Sequence, residues 1–145
     1  MATAMRAINW KMITAVLALF GIAVATYLTI IHYDTGALVC TIGDCHAVQS
    51  SQYSKIGPIP VAVLGLGMYL TIAAISIARW RRPALTATLT TASFAIVLAG
   101  TVYAAYLTYL EINVINAICQ WCVLSALLTL GLLMSEGYGF YNHLE

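Results

Sequence analysis

The sequence predicts an all-α integral membrane protein with four transmembrane helices and a long extracytoplasmic loop between the first and second helix. Of its 145 residues 62% are apolar and only 8% are charged, whereas an average soluble domain carries about a quarter charged residues. The chain also contains four uncharged runs of span length. A helix needs about 20 apolar residues to cross roughly 30 Å of hydrocarbon, and lipid offers no partner to unpaired backbone.

The four predicted spans cover residues 10–32, 58–79, 83–108 and 113–135 of a single membrane domain, 1–145. Pro60 suits the first turn of the second helix, where a missing N–H costs little. Pro83 is expected to start the third helix, and Asn113 or Asn116 to cap the fourth. Gly65 and Gly67 are expected to let helices pack closely.

The first span also has features of a secretion signal. Arg6 and Lys11 precede it, and residues 23–25 look like a signal-peptidase site. The apolar run nevertheless continues to Ile31, whereas the apolar region of a signal usually has about 7–15 residues. We therefore expect a retained helix.

The outer loop is predicted over residues 33–57, which is long for a connection between helices and favours a functional segment. Within it, residues 46–56 are expected to form a short helix on the membrane surface, with Val48 and Tyr53 dipping in. Basic residues set the orientation, because they are enriched on the cytoplasmic side. Lys55 lies in the loop, and five basic residues lie on the opposite side, namely Arg6, Lys11, Arg79, Arg81 and Arg82.

This distribution predicts a multi-pass protein of the plasma (inner) membrane with both termini in the cytoplasm and all cysteines on the extracytoplasmic side. The net charge of +1 gives no basic footprint for nucleic acid. Membrane lipid is the partner that composition alone implies.

The chain has four cysteines, as the pairs Cys40/Cys45 and Cys119/Cys122. Static disulfides are one interpretation, although a bridge between residues three apart closes almost no loop and stabilises little. A four-thiolate metal site is another. The loop spacing is wider than usual for zinc, and zinc would compete with disulfide formation on an oxidising face. We therefore expect no metal.

Thiol–disulfide exchange is the third interpretation, because a Cys-x-x-Cys pair combines an activated thiolate with a resolving thiol. If Asn116 caps the fourth helix, Cys119 lies in its first turn, where the helix dipole favours a thiolate. Residues three apart share a helix face. Cys119 can then face the loop while Cys122 lies one turn deeper, which suits a relay from water to membrane.

The chain resembles prokaryotic homologues of vitamin K epoxide reductase. The resemblance rests on the loop cysteine pair, Ser51 six residues after Cys45, the run 57–65 leading into Tyr69, and a Cys-x-x-Cys at the fourth helix. DsbB-type oxidases have similar chemistry, but their Cys-x-x-Cys lies in the first outer loop. The reversed order here favours the vitamin K epoxide reductase family.

The resemblance implies a four-helix bundle around a quinone and a role for each cysteine. Cys40 would exchange with a thioredoxin-like partner that oxidises exported proteins, and Cys45 would pass electrons to Cys119. Cys122 would face the quinone, and Ser51 matches a serine in the loop that covers the site. The implied activity is thiol:quinone oxidoreduction supporting disulfide formation. The alternative is a membrane protein with static disulfides or a four-cysteine metal site and no catalysis.

The implied electron acceptor is ubiquinone or menaquinone, bound beside Cys122, Val61, Leu64 and Ala126. Vertebrate relatives carry asparagine and tyrosine at the positions of Val61 and Ala126, near the quinone oxygens. Simple quinone reduction is therefore expected rather than epoxide reduction. Many prokaryotic relatives also carry a fused thioredoxin domain, and these residues leave no room for one. We expect the partner to be a separate thioredoxin-fold, DsbA-like protein.

Overall fold

A computed structural model of the chain describes residues 2–34, 36 and 43–144. Within these residues, four helices are long and apolar enough to cross a membrane, as predicted. The four long helices are α1 (Ala2–Tyr33), α3 (Val61–Arg81), α4 (Thr86–Leu110) and α5 (Gln120–Leu144). Between α1 and α3 lie the short helix α2 (Cys45–Ser50) and the strands β1 (Lys55–Ile56) and β2 (Ile59–Pro60). Cys40 and part of the predicted outer loop lie outside the described residues.

The bundle has an apolar outside and a partly polar inside. Large apolar side chains such as Leu19, Val102 and Met134 are exposed, which suits a surface covered by lipid. Because lipid provides no hydrophobic force between helices, their contact depends on close packing and hydrogen bonds. Between α1 and α5, the Thr14 hydroxyl bonds the Ser135 hydroxyl at 2.6 Å. Ser135 in turn donates to the Trp10 carbonyl at 3.0 Å.

The helices are arranged in a ring with one loose seam. α1 packs closely on α3 and α5, and α4 packs closely on α5, whereas α3 and α4 touch less. A glycine permits the α1–α3 contact, since a Cβ at Gly21 would overlap the buried Tyr69 ring. The expectation for Gly65 and Gly67 was wrong. A Cβ at either position would meet nothing within 4 Å, because both face away from the closest helix contacts.

The helix ends differ most from the predicted spans at the first and fourth helices, since α1 already begins at Ala2 and α5 runs from Gln120 to Leu144. Pro60 immediately precedes α3, and Pro83 opens a single 3₁₀ turn, Pro83–Leu85, before α4. After α4 the chain makes a π turn, Glu111–Ile115, that ends at Asn116 in the left-handed conformation (φ 56°). This reversal breaks the helix, so α5 begins at Gln120 and not near residue 113. Asn116 ends the turn and does not cap α5.

The segment before α3 folds back over the end of the bundle. The helix predicted over residues 46–56 is only Cys45–Ser50, followed by a 3₁₀ turn, Gln52–Ser54. Ser51 breaks it by taking an extended conformation while its hydroxyl donates to the Val48 carbonyl at 2.8 Å. Val48 is buried against Cys119. The Val48 side chain therefore covers the Cys119 thiol. The sequence had instead predicted that Val48 would dip into the membrane surface.

Candidate active site

Cys119 is the N-cap residue of α5. Its carbonyl accepts the first helical hydrogen bond, from the Val123 N–H at 3.0 Å, while its own N–H donates to Glu111 Oε2 at 3.3 Å. The N–H groups of Trp121 and Cys122 donate to its sulfur. These are the donors that an N-cap side chain normally accepts. A thiol at this position is therefore held where a helix terminus favours negative charge.

The electrostatic surroundings make Cys119 a more acidic thiol than usual. The hydrogen bond from the Cys122 thiol, with the N–H groups of Cys122 and Trp121, lowers the pKa of Cys119 to about 7. Burial of the thiol and the charge of Glu111 act in the opposite direction. A substantial thiolate fraction at neutral pH is what an exchanging cysteine requires.

The part of the chain between α1 and α3 lies in the predicted outer loop and is called the outer segment below. A piece of its main chain docks directly onto this cysteine. Gly43 pairs with Cys119 in an antiparallel β-bridge, and the Asp44 N–H donates to the Ile118 carbonyl at 2.9 Å. Gly43 has φ +83°, and a Cβ there would collide with the Ile118 carbonyl oxygen. Glycine is therefore required at this contact, both for its backbone conformation and for the close approach.

The docked segment leads straight into the second loop cysteine. Asp44 caps α2 by accepting the Ala47 N–H at 3.1 Å, and Cys45 is the first residue of that helix. The backbone of Cys45 thus starts two residues after the bridge to Cys119. The Cys45 thiol, like Cys40, lies outside what the structure describes.

A largely apolar cavity of about 340 Å³ opens between α3, α4 and α5, at the loose seam of the ring. Its wall includes five residues that the sequence singled out: Ser51, Val61, Leu64, Cys122 and Ala126. Cys119 is fully buried beside Val48, whereas Cys122 reaches the cavity. The two thiols of one pair therefore have different surroundings, one facing the docked segment and one facing an apolar chamber.

Comparison with known protein families identifies the class to which the chain belongs. A model of the vitamin K epoxide reductase family matches residues 12–136. The chain belongs to this family. The match runs from α1 to near the end of α5 and includes all four cysteines. Family members are membrane oxidoreductases that link thiol–disulfide chemistry to quinones, so the chain is assigned to that class.

This family member carries a polar cluster in the cavity wall that sequence reasoning missed. The Tyr69 hydroxyl lies 3.0 Å from the Ser125 carbonyl, the Ser125 hydroxyl and the Thr129 hydroxyl. Ser125 and Thr129 follow Cys122 at intervals of three and seven residues, so they share its helix face. That spacing was a signal that could have identified both.

Glu111 was also missed. Its side chain is buried and lines the same cavity as Cys122. An acidic residue at the end of an apolar span is a candidate functional residue, because a charged side chain in lipid costs free energy. Its position eight residues before Cys119 gave no hint of contact, because the reversal at Asn116 creates it.

A metal site was one interpretation of the cysteines. Over the described ranges, no group of three or more His, Cys, Asp or Glu side chains could hold a metal ion. Cys40 lies outside those ranges, so the four-thiolate arrangement is not tested by this result.

Proposed function

We propose that this protein is a thiol:quinone oxidoreductase of the plasma (inner) membrane. It takes electrons from a separate thioredoxin-fold partner through Cys40 and Cys45, passes them to Cys119 and Cys122, and delivers them to ubiquinone or menaquinone. This activity would support disulfide formation in exported proteins.

The observation that carries the proposal is the division between the two thiols at the start of α5. Cys119 is the N-cap, is acidic, and lies against the docked segment that contains Cys45. Cys122 lies one helical turn further on, in the wall of an apolar cavity. One sulfur of the pair faces the outer segment and the other faces the largely apolar cavity. Such a pair suits electron transfer between a protein and a lipid-soluble acceptor.

The relay consists of balanced exchange steps. The partner's dithiol reduces a Cys40–Cys45 disulfide and becomes oxidised itself. The Cys45 thiolate attacks Cys119 in a Cys119–Cys122 disulfide, and Cys122 leaves as a thiolate. Cys40 then attacks Cys45, which releases Cys119 as a thiol. Two electrons now reside on the inner pair, and a quinone bound in the cavity supplies the oxidising equivalent that restores the disulfide.

The residues present fit a quinone in chemical character. Val61, Leu64 and Ala126 give the cavity an apolar wall beside Cys122. The hydroxyls of Tyr69, Ser125 and Thr129 lie in or at that wall and offer hydrogen bonds, although Val61 and Ala126 lack the polar groups of vertebrate relatives. Simple quinone reduction is therefore the activity that these side chains favour over epoxide reduction.

The proposed orientation places α2 and the cysteines outside the cytoplasm. Arg81 and Arg82 are exposed at the opposite end of the bundle. Arg79 forms an ion pair with Glu136, so we do not count it as a surface charge. Arg6 and Lys11 still add to the excess of basic residues on that side over Lys55, which supports cytoplasmic termini.

The test is to follow quinone absorbance when purified protein is mixed with quinone and a reduced DsbA-like protein. We expect steady loss of quinone, abolished by Cys119→Ala and by Cys122→Ala. Cys40→Ala and Cys45→Ala should abolish it with the protein donor but preserve it with dithiothreitol, which can reach Cys119 directly. Static disulfides or a metal site predict that even the wild-type protein consumes no quinone.

A further inference from the structure

A carboxyl group in the cavity wall contacts the residue that carries one of the reactive thiols. Glu111 is buried, lines the cavity together with Cys122, and accepts the Cys119 N–H at 3.3 Å. The carboxylate therefore contacts the residue that carries one of the two reactive thiols. Its charge raises the pKa of the Cys119 thiol, which shows that the two groups influence each other.

Glu111 is held rigidly at this point by the chain itself. It is the first residue of the π turn, an element that often marks functional sites. Its carbonyl accepts the Ala117 N–H at 3.0 Å, which closes the turn leading to Cys119. The link between α4 and α5 therefore fixes the backbone of Glu111, and the Cys119 N–H holds its carboxylate.

Among the described residues that line the cavity, Glu111 provides the one carboxyl group. The other titratable side chains there are Tyr53, Tyr69, Tyr103 and Cys122, and Cys119 lies directly behind. Tyrosine hydroxyls release a proton only at high pH. A carboxyl group can both accept and return a proton during a reaction near neutral pH.

We propose that Glu111 carries a proton from the Cys119 thiol to the quinone that Cys119 and Cys122 reduce. This role rests on the proposed function. In the overall step two S–H bonds break, one S–S bond forms, two electrons move from sulfur to the quinone, and its two oxygens gain one proton each. Glu111 takes the proton of Cys119 as its thiolate forms and then releases it to a quinone oxygen, which leaves the carboxylate unchanged. The second proton is the one that Cys122 gives up.

The physical reason is that a thiolate on Cys119 and a carboxylate on Glu111 repel each other in an apolar site. One proton shared between Cys119 and Glu111 avoids two adjacent anions. Transfer of that proton to Glu111 leaves Cys119 as the thiolate that forms the S–S bond with Cys122 as two electrons pass to the quinone, while the acid stays inside the cavity where the proton is needed. Water does not have to enter an otherwise apolar chamber.

Three variants separate proton transfer from positioning. Glu111→Gln keeps an oxygen that can accept the Cys119 N–H but cannot exchange a proton. We expect it to slow quinone reduction by about 100-fold, the lower end of what a general acid contributes. Reduction of the Cys119–Cys122 disulfide by dithiothreitol, measured without quinone, should not slow, because a lower pKa of Cys119 makes it a better leaving group. Glu111→Asp should recover part of the quinone rate, and Glu111→Ala should impair both steps.

The outcomes distinguish the possible failures. If Glu111→Gln reduces quinone at the wild-type rate, or if it slows both steps equally, Glu111 only supports the structure and the proposal is overturned. If the wild-type protein consumes no quinone, the proposed function fails first and the proposal with it.

Two readouts do not depend on quinone turnover. Because the Glu111 charge raises the pKa of Cys119, Glu111→Gln should shift the pH profile of Cys119 alkylation downward, whereas an unchanged profile contradicts the contact. In wild-type protein, infrared difference spectra between the dithiol and disulfide forms should show a carboxyl band that changes. Absence of such a band would overturn the proposal even if the glutamine variant failed to fold.

Discussion

Arg79 on α3 and Glu136 on α5 form a two-point ion pair inside the bundle. Nη1 lies 3.0 Å from Oε2 and Nη2 lies 2.7 Å from Oε1, with both side chains fully buried. The guanidinium lies 4.9 Å from the centre of the Trp10 ring on α1 and 3.3 Å from the Thr90 hydroxyl on α4. One arginine therefore touches all four long helices.

Removing one partner of this pair should destabilise the protein strongly. Glu136→Gln leaves a buried guanidinium without its counter-charge, which costs about 3–5 kcal/mol for buried pairs. Arg79→Met with Glu136→Leu removes both charges and should recover much of the loss. The measurement is unfolding of the purified protein in detergent, with Arg82→Met at an exposed site as control. If Glu136→Gln unfolds like that control, the pair does not stabilise the bundle.

The acidity of Cys119 should depend on its neighbour. The Cys122 thiol is the largest cause of the lowered pKa, so Cys122→Ala should raise the pKa of Cys119 above about 7. Alkylation of Cys119 at neutral pH should then slow. Cys122→Ser keeps a donor hydroxyl and should behave nearly as the wild type does. Both are best measured in a background with Cys40→Ala and Cys45→Ala, by mass spectrometry of the Cys119 peptide. Equal pH profiles for alanine and serine would contradict the hydrogen bond.

The order of the relay should be visible as a trapped disulfide. Cys122→Ala removes the thiol that resolves an exchange at Cys119. A Cys45–Cys119 disulfide is therefore expected to accumulate, identified as a linked peptide. The matched variant Cys119→Ala should yield no such product. A Cys45–Cys122 link in protein with all four cysteines would mean that the order is reversed.

A side chain at residue 21 should disrupt the close packing of α1 against α3. Gly21→Ala places a methyl group against the Tyr69 ring, and overpacking typically costs about 1–3 kcal/mol. Displacement of Tyr69 should also disturb its bonds to Ser125 and Thr129. Gly67→Ala is the control, since its methyl group meets nothing. Thermal unfolding of both variants should show a loss for Gly21→Ala alone, and similar stabilities would disprove the close packing.

The proposed topology predicts which sites a membrane-impermeant reagent can reach. After mild reduction of intact cells, a thiol reagent of this kind should label Cys40 or Cys45. A tag after Glu145 should stay protected until the membrane is opened. Labelling of that tag in intact cells would contradict cytoplasmic termini.

The general architecture was predictable because it depends on composition. Runs without charge must become helices in lipid, so the four spans follow from the sequence with only their ends uncertain. Ala126 was identified through the family resemblance and lines the cavity. Ser51 and Val61 were recognised through the family resemblance, and both line the cavity.

The ion pair and the turn before α5 were missed because they depend on a long-range contact and on a backbone conformation that the sequence pattern does not show. Arg79 was counted among the cytoplasmic basic residues because it lies close to Arg81 and Arg82 in the sequence, and nothing local indicates that Glu136 lies opposite. Asn116 was predicted as an N-cap, which is a common role of asparagine. Asparagine also tolerates the left-handed conformation, and in that conformation Asn116 ends the π turn instead. The contact between Glu111 and Cys119 follows from this left-handed conformation of Asn116.

The bridge between Gly43 and Cys119 is made from main-chain atoms, which every amino acid possesses. The bridge itself requires a glycine at residue 43 and makes no demand on other side chains. The same segment, however, covers Cys119 with Val48 and contributes Ser51, Tyr53 and Ser54 to the cavity wall. A segment grafted from a relative therefore has to keep these contacts as well as the glycine. Changes in this segment that alter the choice of protein partner are expected to alter the fit of the electron acceptor too.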